Sequence, residues 1–296
     1  MSQITAMPIG RSYPVPVLAP VRERPAQPIV RVANVLINIR DPDDAIARVI
    51  ADAALGIGGT LFTLNLDHLV KLEQDPAFRA AYDRASYITA DGVPIVTMAR
   101  GAGVAISRVT GSDLVEPMCR AAATAGIPVH FFGTSNVILE TARARLEATV
   151  PGLRIAGLES PPFGFDPTGA AAVAAAERIA QSGAKICFVA LGAPKQELFA
   201  DVAASVAPGV LFLGIGAALD FIAGAQKRAP RVLSNAGFEW LWRLAQDPRR
   251  LGPRYARSAL FFTRYILGRL GSSSSGTAHP KAGASSPGLR ETDTFK

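Results

Sequence analysis

The sequence predicts an α/β fold, a mainly parallel sheet with helices on both faces, followed by a basic helical appendage. Three observations lead there. Short apolar runs alternate with Ala-rich stretches of helical length across residues 29–245. An apolar share of 49% over 296 residues is enough for a sizeable core and excludes a disordered chain. Charge is concentrated at one end: residues 227–270 hold ten Lys/Arg against two acids, Glu239 and Asp247, while the whole chain carries only +7. Seven aromatic residues, among them Trp240, Trp242, Phe261 and Phe262, share that segment. A basic, aromatic-rich end on a near-neutral body suits an anionic partner such as phosphate or a phospholipid surface.

In chain order, residues 1–28 are interrupted by six prolines and lack an apolar signal-peptide core, which predicts a disordered leader. Strand-like runs follow at 30–37, 60–64, 87–89, 129–132, 154–157, 186–190 and 210–213. Helical patterns occupy 43–54, 76–84, 94–100, 112–125, 137–148, 168–181, 195–206 and 230–245. The apolar stretch 210–225 contains Gly214, Gly216, Asp220 and Gly224, so it reads as a buried strand entering a glycine loop rather than a membrane span. The appendage is expected at 246–270, with Gly252-Pro253 breaking the chain and a helix running from Arg254 to Leu270. Arg250, Arg257 and Arg264 recur every seven residues and share a face of that helix, as an interfacial helix requires. A terminal helix packed on the domain with a solvated basic face fits the same pattern. Residues 271–296 form a Ser/Gly/Pro tail, also expected to be disordered.

Cys119 and Cys187 form no CxxC pair and suit buried reduced thiols, and His68, His130 and His279 lack metal-ligand spacing. These features point to a cytoplasmic protein that, where it meets a membrane, lies on the inner face. Nucleic acid is not expected as a partner, because the basic residues sit in one terminal segment without a nucleic-acid motif.

In parallel sheets, ligands bind beyond the carboxyl ends of the strands. Three loops there carry small residues before a helix: Gly133-Thr134-Ser135-Asn136, Leu191-Gly192-Ala193-Pro194, and Gly214-Ile215-Gly216. Each could bring backbone N–H groups close to a phosphate, and each could equally be a structural turn. Neither GxGxxG nor a P-loop is present. Four polar clusters stand beside such loops: Thr63 to His68, Asp91-Gly92-Val93-Pro94, Arg108 to Asp113, and Pro194 to Glu197. Asp91 could accept a proton, Arg108 could hold a phosphate, and Gln196 could meet sugar hydroxyls. The alternatives are helix caps for Asp91, Asp67, His68, Ser112 and Asp113, and solvated first-turn charges for Lys195 and Glu197.

The ordered series Thr63-x-Asn65, Asp91-Gly92, Arg108-Val109-x-Gly111-x-Asp113, Gly192-x-Pro194-Lys195-Gln196-Glu197, Gly214-x-Gly216, Arg228-Ala229-Pro230, Glu239-Trp240-x-x-Arg243-Leu244 and Pro248-Arg249-Arg250 resembles the WecG/TagA/CpsF family of bacterial glycosyltransferases. The likeness covers about residues 30–270. It implies a Rossmann-like body and inverting hexosyl transfer from a UDP-sugar to a polyprenyl-diphosphate-linked saccharide, forming a β-linkage in exopolysaccharide or other cell-surface polysaccharide synthesis. It also implies a C-terminal appendage that binds an anionic membrane surface and helps close the active site. By motif position it makes Asp91 the catalytic base, with Thr63, Asn65, Arg108, Lys195 and Gln196 as substrate contacts. Gly133, Thr134, Gly192, Gly214 and Gly216, with Arg228, Arg243, Arg250 and Arg254, fall to the nucleotide diphosphate.

No cofactor is expected beyond the donor. The only Asp-x-Asp, Asp41-Pro42-Asp43, lies outside the matching motifs, so arginines and helix amino termini are expected to take the place of a metal. The sequence departs from the family pattern at Val93-Pro94, Leu198-Phe199 and Ala217-Ala218. The donor sugar is left open among glucose, N-acetylmannosamine and its uronic acid, and a homo-oligomer remains a possible assembly. A nucleotide-sugar-modifying enzyme and a non-catalytic docking partner are the competing readings.

Overall fold

A computed structural model of the chain describes residues 30–226, 239–246 and 248–273. The expected leader at 1–28, Arg228, and the first part of the helix expected at 230–245 lie outside the described residues.

The first element is a hairpin, not the single strand expected at 30–37. β1 (Val30–Val32) and β2 (Val35–Ile37) pair antiparallel across Ala33-Asn34. Both turn residues have positive φ, +45° and +65°, the backbone of a two-residue hairpin turn that asparagine tolerates. Asn38 then hooks the hairpin to the sheet edge: its amide donates to Ser86 O at 2.8 Å, and its Oδ1 accepts from Ile88 N–H at 2.8 Å.

Next come α1 (Pro42–Ala54), β3 (Gly59–Leu64), α2 (Leu66–Gln74), α3 (Pro76–Asp83), β4 (Tyr87–Ala90), α4 (Val93–Gly101), α5 (Gly111–Thr124), β5 (Val129–Gly133) and α6 (Asn136–Thr149). They are followed by β6 (Ile155–Glu159), α7 (Ala170–Gln181), β7 (Ile186–Ala190), α8 (Lys195–Val206), β8 (Leu211–Gly214) and α9 (Ala218–Ala223). Two further helices, α10 (Glu239–Gln246) and α11 (Pro248–Ser273), complete the described residues. Local chemistry explains many starts. Asp41 caps α1 by accepting from Asp44 N–H, with Pro42 at the first helical position. Asp75 and Pro76 do the same for α3, Thr110 caps α5 and Ser135 caps α6.

β3 to β8 form one six-stranded sheet in the order β4-β3-β8-β7-β5-β6, parallel at every pairing. Strand residues alternate between two cores. Phe62, Phe132, Val189 and Phe212 face the side covered by α2, α3, α7 and α8. Leu61, Phe131, Phe188 and Leu213 face the side covered by α1, α5 and α6. Phe132 stacks on Phe199 at a centroid distance of 4.3 Å, and Phe131 stacks on Phe188 at 5.1 Å. Each face is dry, so the inner strands are apolar at nearly every position.

α9 was not expected, and α2 was weighed only as a short helix. The sequence weighed Asp67 and His68 as caps there, but the cap is Asn65, whose Oδ1 accepts from His68 N–H at 3.0 Å. Gly252-Pro253 does not break the chain either. α11 runs continuously through Pro253 and on to Ser273, beyond the boundary drawn at 270. A proline inside a helix forgoes one backbone bond, yet both sides of it are held by packing. Leu251 and Ser258 are buried, and Phe261, Phe262 and Tyr265 pack against the core. Those positions recur at helical spacing and seat one face of α11 on the body. Leu260 and Leu267 remain about 60% exposed on the other side.

Gly133 shows how tightly the strand ends are set. Its φ is +114°, and an added Cβ would stand 2.4 Å from Ala190 O. Gly133→Ala is therefore expected to lose about 2–3 kcal/mol of stability, read as a lower urea midpoint at unchanged m-value. Gly101→Ala, where a methyl group meets nothing within 4 Å, should leave the midpoint within about 0.5 kcal/mol of the parent. Equal midpoints for the two variants would refute the close approach.

Candidate active site

A cleft of about 470 Å³ opens beyond the carboxyl ends of β3, β4, β7 and β8. β3 and β4 contribute Thr63, Asn65 and Asp91, the loop after β7 contributes Gly192 and Ala193, and the first turn of α8 contributes Gln196. The loop after β8 contributes Ile215 to Ala218, the start of α5 contributes Thr110 to Ser112, and α11 contributes Leu251, Arg254 and Tyr255. The first turns of α5, α8 and α9 thus line one cavity, and Asn65 caps α2 at its edge. Backbone N–H groups at such helix starts favour an anion.

Asp91 stands where β4 ends, and its own N–H donates to Leu64 O at 2.7 Å, tying the ends of β3 and β4 together. It is not the N-cap residue of the helix that follows. The N-cap of α4 is Gly92, with φ +99° and no side-chain capping bond. The chain thus turns sharply at Gly92, and the Asp91 carboxylate borders the cleft. Thr63 is only 5% exposed on β3, and Asn65, while capping α2, still borders the same space.

Of the two charges at the start of α8, Lys195 is exposed, whereas Glu197 is not solvated; it and its neighbour Gln196 are 0% and 3% exposed. Gln196 Oε1 accepts from Gly216 N–H at 2.9 Å, and Gln196 Nε2 donates to Glu197 Oε1 at 2.8 Å. Gly214 makes room for this: a Cβ there would meet Gln196 Nε2 at 3.1 Å. Behind them, His68 Nδ1 lies 2.7 Å from Tyr82 OH, and His68 Nε2 lies 3.9 Å from Glu197 Oε1. Burial pushes the Glu197 carboxyl up to about 7, partly offset by the Gln196 hydrogen bond. Burial pushes His68 down to about 3, so the ring is neutral at physiological pH. Burial, then the charges of Glu197 and Asp91, hold the Tyr82 phenol well above its usual range.

On the opposite wall Arg254 donates to Asp67 at 2.9 Å, and Lys71 pairs with the same carboxylate. The ion pair joins α11 to α2 beside the cavity. Arg254 Nε and Ser258 Oγ are buried without a hydrogen-bond partner among the described residues.

The cavity brings together Thr63, Asn65, Asp91, Gly192, Gln196, Gly216 and Arg254 of the residues that the resemblance singled out. Others stand elsewhere. Arg108 lies just outside the lining, 4.0 Å from Asp113, at the foot of the Thr110 to Ser112 turn. Lys195 turns away and donates to Phe165 O at 3.2 Å. Gly133 and Thr134 serve the β5–β7 junction, where Thr134 N–H donates to Ala190 O at 3.0 Å. Gly214 shapes the floor behind Gln196. Arg228 and the side chains of Arg243 and Arg250 lie outside the described residues.

His68, Thr110 and Glu197 lay in the polar clusters read from the sequence but, like Tyr255, were given no role at the site. For Glu197 a pattern was available: Gln196, Phe199, Ala200 and Ala203 follow helical spacing and are buried, which puts the start of α8 against the core.

Glu197 and His68 oppose each other in the pH dependence of stability. The raised carboxyl favours the fold below about 4.5, and this contribution is lost as pH rises to about 7. The lowered imidazole favours the fold above about 6.5, and that contribution is lost as pH falls towards 3. Glu197→Gln removes only the first. Its stability relative to the parent should therefore rise with pH between about 4.5 and 7, by at most about 1.4 kcal/mol per pH unit. Unfolding midpoints of both proteins across that range provide the check, and parallel curves would refute it.

The family model described as "Glycosyl transferase WecG/TagA/CpsF family" matches residues 30–275, which takes in the sheet, the cleft and α11. Membership implies sugar transfer in cell-surface polysaccharide biosynthesis, from a nucleotide-sugar donor to a lipid-linked acceptor. With its fold, cleft and match in agreement, the chain belongs to the WecG/TagA/CpsF glycosyltransferase family.

Proposed function

We propose that the cleft moves a hexosyl group from a UDP-sugar to a polyprenyl-diphosphate-linked saccharide with inversion, forming a β-linkage. The observation that carries this is the meeting of Asp91, several helix amino termini and Arg254 in one cavity. An inverting transfer needs one base and a means of stabilising the leaving diphosphate. The acceptor hydroxyl oxygen attacks the anomeric carbon and gives its proton to Asp91. The bond from that carbon to the β-phosphate oxygen breaks, and UDP leaves with the electron pair.

The departing charge is met by backbone N–H groups at the helix starts and by Arg254, with Arg108 close to the same wall. Thr63, Asn65 and Gln196 orient the sugar. Gln196 retains one donor and one acceptor position for this after its bonds to Glu197 and Gly216. Lys195, bonded to Phe165 O, supports the site by holding the loop after β6 rather than by touching substrate. The family resemblance adds Arg228, Arg243 and Arg250 as further partners of the diphosphate.

The acceptor's lipid requires the protein to work at a membrane surface. Among the described residues no helix is long and apolar enough to cross a membrane, and the exposed side of α11 offers Leu260 and Leu267 with Arg257 and Arg264. That combination suits an interfacial helix on anionic lipid.

A panel of UDP-sugars offered with a lipid-diphosphate acceptor should show UDP release with one donor. With that donor Asp91→Asn should lower kcat by about 10²–10⁴-fold while UDP binding stays within about twofold. Undiminished turnover would remove Asp91 from the chemistry. Replacing both Leu260 and Leu267 by Ser should release the protein from anionic vesicles without lowering its melting temperature, since both side chains are largely exposed. Flotation unchanged by the double replacement would refute the docking face.

A further inference from the structure

Glu197 has no part in the chemistry above and does not line the cleft, yet it is fully buried and bonded to Gln196, a residue that does. A buried carboxyl is a costly choice for stability alone. One of its oxygens, Oε2, has no hydrogen-bond partner among the described residues. An apolar side chain of the same size would fill the space with less desolvation. What such a side chain could not do is accept a hydrogen bond from Gln196.

That bond decides which way the Gln196 amide faces. Gly216 N–H is a donor, so only Oε1 of Gln196 can serve it. Nε2 must then find an acceptor on the other side, and Glu197 Oε1 is that acceptor at 2.8 Å. The carboxyl accepts at Oε1 whether or not Oε2 carries a proton. Gly214 closes the arrangement from the third side, because its missing Cβ leaves the space Nε2 occupies. Gly216, at φ +57°, holds the turn that Oε1 anchors.

We infer that Glu197 is a positioning residue for the donor pocket, fixing the Gln196 amide and, through it, the Gly214–Gly216 turn that floors the cleft. This rests on reading the cleft as a nucleotide-sugar site. Without the acceptor the amide is free to rotate. Gly216 N–H then loses its partner, and the floor no longer holds one shape for the donor.

The test uses the full chain, with UDP as the probe. Glu197→Met keeps the volume and removes the acceptor; Glu197→Gln restores one. Glu197→Met should speed hydrogen exchange at the Gly216 amide by about tenfold and weaken UDP binding by about tenfold, the effect of losing one hydrogen bond. Glu197→Gln should return both towards the parent values. In a Gln196→Ala background, Glu197→Met should cause no further loss of UDP affinity, because the two act as one unit.

Equal Gly216 exchange in parent and Glu197→Met, or the same loss of affinity with and without Gln196, would overturn the inference. If Glu197→Met does not fold, Gly214→Ala decides, since it crowds the amide without touching the buried carboxyl. The same two changes are expected, and parent-like values would overturn the inference. A parent chain that ignores UDP would refute the nucleotide-sugar reading, while Gly216 exchange would still decide whether Glu197 sets the floor.

Discussion

Six parallel strands covered on both faces leave polar side chains few places to stand. Every inner strand must be dry on each side, so its side chains are spent on the two cores. The strand ends escape that demand. Beyond them the chain turns into helices, and the first turns of α5, α8 and α9 line the same space. The position of Asp91, Thr63 and Gln196 in one cavity follows from this. They come from distant parts of the sequence and meet because β4, β3, β8 and β7 lie side by side.

Beneath the cavity lies a second layer that is polar yet dry. Tyr82, His68, Glu197 and Gln196 form a contiguous group within the core, with His68 neutral and the Glu197 carboxyl pushed up to about 7. Such a group costs desolvation energy and returns orientation. Its direct output is the hydrogen bond from Gly216 N–H to Gln196, which joins the first turn of α8 to the loop after β8. Asp91 meanwhile borders the cavity. The two carboxyl groups therefore have different environments: Asp91 lines the cavity, and Glu197 is buried behind Gln196.

α11 adds the last wall. It is bound to α2 by the Arg254–Asp67 ion pair and by an apolar face that includes Leu251, Phe261 and Phe262. Because Arg254 reaches the cavity from this helix, a cation and Asp91, far apart in sequence, line the same space. The helix that presents an exposed apolar and basic face to a surface also completes the site, which couples docking to chemistry in our reading of the function.

The residues themselves determined the periodic elements. The apolar run at 186–190 and the helical pattern at 195–206 coincide with the strand and helix observed, because a buried strand and a helix packed on it leave patterns of different period. The motif order carried the family and pointed to Asp91. Local pattern did not establish α2, whose cap residue Asn65 was read as a substrate contact, or the continuation of α11 through Pro253, which tertiary packing sustains. Nor could it separate Gly133, required by the approach of Ala190, from Gly216, which borders the cavity. Glu197 is the clearest case. In sequence it is one more charge in a first helical turn; only the packing of α8 against α3 and the sheet removes it from water, beside Gln196. Periodicity is a property of neighbours along the chain, whereas burial and hydrogen-bond partnership depend on segments that meet only after folding.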